Sequence, residues 1–210
     1  MKLTYYHAPF ACSMVSYLAL LEAGATFELV PVSLKKGEQK TEAYLALNPK
    51  GKVPLLVANG QTISENTAIL SFLDSLFPTA KLLPSALMER TQAISWMSWC
   101  SSGLHPPITR IAKPGNFCDA PNSEESLKRL AIAEQLRNFA IIDGKLAGRE
   151  WVFDHWTAVD GYLFWVWRRF AMVSGADLSV FPAYAAHAER MGARPSVVKT
   201  LVLEAQLAGD

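Results

Sequence analysis

Few side chains in this chain can act as nucleophiles or titrate near neutral pH. There are three cysteines and four histidines. Cys12 follows the turn His7-Ala8-Pro9-Phe10 and precedes an apolar run, so it stands where a helix begins. Backbone N–H groups lacking intrahelical partners, and the positive end of the helix dipole, then point at its sulfur. Both favour the thiolate and lower the thiol pKa. A lone cysteine also serves as a small buried apolar residue. That reading suits Cys100, beside Trp96 and Trp99 on an apolar helix, while Cys118 in a Pro/Gly-rich loop is assigned no role. Ser13 is the alternative polar group, one residue further into the first helix. His105 precedes Pro106-Pro107, where a helix is expected to end, and a helix C-terminus favours a cationic histidine. His7, His155 and His187 share no metal-ligand spacing.

Other positions carry backbone chemistry. Val53-Pro54 is an X–Pro bond, the common site of a cis peptide. Ser64 or Asn66 supplies an N-cap for the helix that follows. Thr157 and Asp160 form an S/T-x-x-D capping box before a hydrophobic run, and are read as folding determinants.

The elements that must hold these residues follow from periodicity. Residues 2–6 read as a strand. Ala11, Met14, Val15 and Leu18 fall on one helix face, which Ala23-Gly24 ends. Phe27–Val32 is β-prone, with Pro31 marking an edge strand. A β-α-β unit implies a parallel pair. The stretch from residue 35 to 47 is lysine-rich, then weakly helical, and Asn48-Pro49-Lys50-Gly51 is a turn. Val53–Ala58 and Gln61–Ile63 flank Asn59-Gly60, the signature of a type I′ hairpin. Ile69, Leu70, Leu73, Leu76 and Phe77 mark a helix ending before Pro78. Residues 1–78 therefore form an α/β module and 79–87 a linker. Residues 88–210 form an all-helical module, with helices at roughly 88–105, 123–146, 158–174, 180–192 and 195–206.

Composition narrows the function classes. The chain is 50% hydrophobic and 19% charged, unlike a disordered chain. A net charge of +1 lacks the positive field that nucleic acid or anionic lipid requires. No run approaches the roughly 18 apolar residues of a membrane span, and no long apolar signal core opens the chain. An odd, small number of cysteines without CxxC spacing fits a reducing cytoplasm.

This order of modules resembles the cytosolic glutathione transferase fold, a thioredoxin-like domain followed by an all-α domain. Ala11-Cys12-Ser13 after Pro9-Phe10 resembles the active-site turn of bacterial beta-class enzymes. Asn48-Pro49-Lys50-Gly51-Lys52-Val53-Pro54 is similar to the family segment ending in a cis-proline. Ser64-Glu65-Asn66-Thr67-Ala68-Ile69 is similar to the Glu-Ser-x-Ala-Ile segment, and Leu104-His105 to the beta-class Leu-His pair. Thr157 through Phe164 resembles the capped core helix.

The resemblance implies a homodimeric, metal-free cytoplasmic enzyme using glutathione as co-substrate against a small hydrophobic electrophile. It implies that Cys12 contacts the glutathione sulfur or forms a mixed disulfide with it, with Ser13 as the alternative hydrogen-bond donor. Val53, before Pro54, would pair with the cysteinyl unit as a one-residue strand addition. Residue 66 and its backbone N–H would bind the γ-glutamyl carboxylate, and Glu65 the γ-glutamyl ammonium. Lys35 and Lys52 are candidates for the glycyl carboxylate, and His105 is placed near the sulfur. Asn66 stands where the family has serine, and Ser98 where the beta class has asparagine. Two other functions stay open: a glutathione-dependent thiol reductase, and a non-enzymatic binding protein of this fold.

Overall fold

The computed structural model describes residues 1–209. It separates into two compact units, one of residues 1–90 with the segment from Ala193 onward, the other of residues 91–192. In the first unit, β1 (Leu3–His7), α1 (Ser13–Glu22) and β2 (Glu28–Pro31) form the expected β-α-β unit. They are followed by α2 (Glu42–Leu47), β3 (Leu55–Ala58), β4 (Gln61–Ser64) and α3 (Asn66–Leu76). The sheet order is β2-β1-β3-β4. β1 runs parallel to β2, and β3 is antiparallel to both β1 and β4. β2, which contains Pro31, is an edge strand, where the missing N–H costs no ladder bond. Asn59 (φ 48°) and Gly60 (φ 84°) take the positive-φ pair a two-residue hairpin needs. Along β1, Leu3, Tyr5 and His7 are buried while Thr4 and Tyr6 are half-buried, the two-residue period of a strand with one covered face.

Two features of this unit differ from the pattern-based expectation. The first helix is buried all round, not on one face: every residue from Ser13 to Leu20 is inaccessible. It packs against β1, α3 and a distant helix, α9 (Pro195–Gly209). That helix therefore belongs with the first unit instead of closing the helical module. Its start is held to the end of α1 by Arg194, whose Nε and a terminal nitrogen lie 3.0 and 2.8 Å from the Glu22 carboxylate. The expected linker is also packed: Leu82, Leu83 and Pro84 are buried, and the Leu83 N–H donates to Asp74 at 2.9 Å.

The second unit is helical. α4 (Leu87–Trp99) enters it and passes through a π-helical turn, Cys100–Leu104, directly into α5 (His105–Ala112). α6 (Ser123–Leu146), α7 (Ala158–Ser174) and α8 (Pro182–Gly192) complete it. The expected helix end at His105 is thus overturned. His105, Pro106 and Pro107 open α5, the one turn where proline's missing N–H is harmless. Phe139, Tyr162, Trp165, Phe170 and Tyr184 fill the core. At the start of α7, Asp160 accepts from the Thr157 N–H (2.8 Å) and hydroxyl (3.0 Å) and from the Val152 N–H (3.0 Å). No helix among the described residues is long and apolar enough to cross a membrane.

Candidate active site

The site is a junction of three backbone segments in the first unit. The β1–α1 turn brings Cys12 to the residue just before α1, with helical φ, and its side chain makes no cap bond to that helix. The thiol instead donates to the Val53 carbonyl, with sulfur and oxygen 3.5 Å apart. The Val53–Pro54 bond is cis. Val53 packs in a small cluster with Ala8, Val32, Tyr44 and Leu55. The preceding carbonyl, of Lys52, accepts from the Tyr44 hydroxyl (2.8 Å) and the Asn48 amide (2.7 Å). Two donors on one oxygen hold this segment against the turn. Gly51 (φ 59°) is required beside it, because a Cβ there would lie 2.8 Å from Lys40 Nζ and 3.0 Å from the Gln39 carbonyl.

The third segment is the start of α3. Asn66 is buried, accepts from Ser16 Oγ at 2.5 Å and donates to the Cys12 carbonyl at 3.0 Å. Its side chain thus ties α3 to the start of α1. Its amide faces inward, which leaves the backbone N–H of residue 66 as the group at the helix start expected to meet a ligand carboxylate. Glu65 sits at φ 74°, ψ 127°, outside the regions that residues with a Cβ populate. Such strain, of order 1–3 kcal/mol, collects at binding and catalytic sites. Its exposed carboxylate pairs with Lys50 Nζ at 2.6 Å, and Lys50 also donates to Ser64 Oγ at 3.0 Å.

The electrostatics overturn the expected low thiol pKa. Burial of the sulfur pushes the Cys12 thiol up to about 12, and the Glu65 carboxylate pushes the same way. A backbone N–H and the Lys52 ammonium act against this without prevailing. Helix-start donors and dipole lose here to desolvation, the larger effect for a covered sulfur. At pH 7 Cys12 is therefore held as the thiol.

Ser13, the alternative donor, is turned inward. It is fully buried, and its hydroxyl lies 3.0 Å from His7 Nδ1, 3.1 Å from the Ala8 nitrogen and 3.2 Å from the Ala8 oxygen. It builds the turn and has no face toward a ligand. Lys52 is exposed close enough to act on the Cys12 charge, whereas Lys35 lies exposed in the turn from residue 34 to 37. His105 lies in the second unit, edge-on to Trp165 with ring centroids 4.6 Å apart. Its position at a helix start withdraws the C-terminal dipole argument for a cationic ring. Tyr44, Asn48 and Lys50 escaped the sequence reading. The turn Asn48-Pro49-Lys50-Gly51 was legible, but not that its side chains support a neighbouring carbonyl and carboxylate. No group of three or more His, Cys, Asp or Glu side chains among the described residues suits a metal ion.

Comparison with known proteins accounts for this arrangement. Residues 1–75 match the family model described as glutathione S-transferase, N-terminal domain. Glutathione S-transferase GstA of Escherichia coli O157:H7 is 33% identical over 203 residues, covering 95% of this chain and 97% of that protein. A sphingomonad glutathione S-transferase solved in complex with glutathione superposes with a TM-score of 0.83 at 33% identity, covering 98% of this chain and 99% of that one. A bacterial beta-class glutathione S-transferase from Sphingomonas chungbukensis gives 0.83 at 32% identity, covering 97% and 98%. The chain belongs to the glutathione S-transferase family of enzymes.

Proposed function

We propose that this protein binds glutathione along Cys12, Val53 and the α3 start, and conjugates its thiolate to small hydrophobic electrophiles. In this reading the enzyme is a cytoplasmic homodimer. The observation that carries it is the Cys12 thiol on the Val53 carbonyl at 3.5 Å, beside a cis Val53–Pro54 bond. That carbonyl is the acceptor an extended cysteinyl unit needs, and an incoming N–H displaces the weak S–H donor. The N-terminal end of α3 suits the γ-glutamyl carboxylate, and the Glu65 carboxylate suits the ammonium. Lys52, Lys35 and Lys50 offer cations for the glycyl end. In conjugation the glutathione thiol loses its proton to water, and its thiolate forms a carbon–sulfur bond as the leaving group departs with its electron pair. Holding the two reactants together is the main service. His105 enters on the family resemblance alone, as a group serving the same sulfur.

Cys12 supports a second reaction, exchange with glutathione disulfide. Its thiolate, formed by proton loss to water, attacks one sulfur; the S–S bond breaks, a Cys12–glutathione disulfide forms and glutathione thiolate leaves. The raised thiol pKa slows this exchange while the sulfur stays covered. The test pairs calorimetry with a Cys12→Ser variant. Reduced glutathione is expected to bind both proteins and aryl-halide conjugation to persist in the variant, while the mixed disulfide, read by mass spectrometry, disappears. Mixed-disulfide formation without conjugation in the wild type favours the thiol reductase. Absence of binding at millimolar glutathione overturns the enzyme reading in favour of a binding protein of this fold.

A further inference from the structure

The last helix of the chain reaches the turn that carries Cys12. Glu204 on α9 is fully buried, and its carboxylate accepts from the backbone N–H of Phe10 at 2.9 Å, across 194 positions of sequence. Phe10 stands at φ 60°, a left-handed conformation that a residue with a side chain keeps only where its surroundings impose it. The same carboxylate lies 3.9 Å from His7 Nε2, and His7 Nδ1 lies 3.0 Å from Ser13 Oγ. Burial lowers His7 to about 4, so the ring is neutral and brings no cation to the carboxylate. A buried carboxylate is costly unless hydrogen-bonded, and a backbone N–H is a donor that orients it. α9 already has another anchor, since Arg194 and Ser196 grip Glu22 at the opposite end of α1. That anchor docks the helix without touching the turn. Glu204 instead places its oxygen on the backbone two residues before Cys12.

We infer that Glu204 is a positioning residue for the chemistry at Cys12. By holding the Phe10 N–H it fixes the turn in its left-handed bend, and so sets the Cys12 sulfur against the Val53 carbonyl. The inference rests on the reading that this segment receives glutathione. It also predicts a property of the unliganded protein that needs no such reading.

The experiment compares Glu204→Ala, Glu204→Asp and Glu204→Gln with Ser196→Ala, all in the full chain and well below their melting temperatures. Cys12 alkylation by iodoacetamide is read by peptide mass, alongside the KM for glutathione. In Glu204→Ala and Glu204→Asp, alkylation is expected to rise about tenfold as the sulfur leaves the carbonyl, and the glutathione KM to rise by a similar factor. Glu204→Gln keeps an acceptor oxygen and is expected to restore most of both. Ser196→Ala is expected to lower the melting temperature and leave both readouts within twofold. Unchanged alkylation in Glu204→Asp, or an equal rise in Ser196→Ala, overturns the inference. If Glu204→Ala does not fold, Glu204→Asp against Glu204→Gln decides. A wild type that fails to bind glutathione while its Cys12 still answers to Glu204 refutes the functional reading alone.

Discussion

Helices α1 and α7 both begin from fully buried residues, each with a histidine and a carboxylate at hand, yet their first turns are built in opposite ways. At α7, Asp160 collects the Thr157 N–H and hydroxyl and the Val152 N–H, and lies 3.0 Å from His187 Nε2. Those partners come largely from the same stretch of chain, and the start is closed on itself. At α1, the residue before the helix is Cys12, whose side chain gives the helix no bond and turns to Val53, 41 residues away. Its surroundings are supplied by α3 through Asn66 and by α9 through Glu204. A start that caps itself is a folding element. A start whose side chain points at another segment's carbonyl leaves that carbonyl open to exchange with a ligand.

The comparison breaks first at α7. Asp160→Ala leaves the Thr157 and Val152 donors buried without their acceptor and is expected to cost about 3–5 kcal/mol, measured by urea unfolding. A cost below about 1 kcal/mol makes that start no more closed than the one at α1. Next comes acid–base behaviour at α1. With the thiol near 12, alkylation of Cys12 should climb about tenfold per pH unit from pH 7 to 10 without a plateau. A plateau near pH 7 means the helix start prevails after all. The sign carries over to stability: an unfolded thiol titrates near 9 while the folded one holds its proton, so Cys12's contribution is complete below pH 9 and drains as pH rises toward 12. Smallest is the exposed pair at the α3 start. Lys50→Ala is expected to change thermal stability by less than about 0.5 kcal/mol, as exposed ion pairs do. A larger loss shows that Lys50 also steadies the strained Glu65 backbone.

Local signals carried much of this molecule. Alternation along β1, the Asn59-Gly60 turn, the Val53-Pro54 dipeptide and the spacing of Thr157 and Asp160 are each written within a few residues, and each reads correctly without knowledge of distant chain. The errors lie in side-chain direction and cover, which periodicity does not report. The all-round burial of α1 comes from α3 and α9, and the inward amide of Asn66 from Ser16 and Cys12, 50 and 54 positions away, whereas the Ser13 hydroxyl is taken up locally by His7 and Ala8 as the turn folds back. The thiol pKa failed for the same reason: a helix start is visible in sequence, but the cover over a sulfur is not. At His105, two prolines suggest a stop, but proline is equally at home in a helix's first turn, which is where they stand.

The return of α9 to the first unit has a consequence for synthesis. Translation delivers β1 and Cys12 before the second unit, and the segment from Ala193 onward after it. The sheet and its helices are therefore out in the open, with the flank of α1 uncovered, while the whole helical unit is still being made. The unit named first in chain order is therefore completed only after every residue of the second unit has been made.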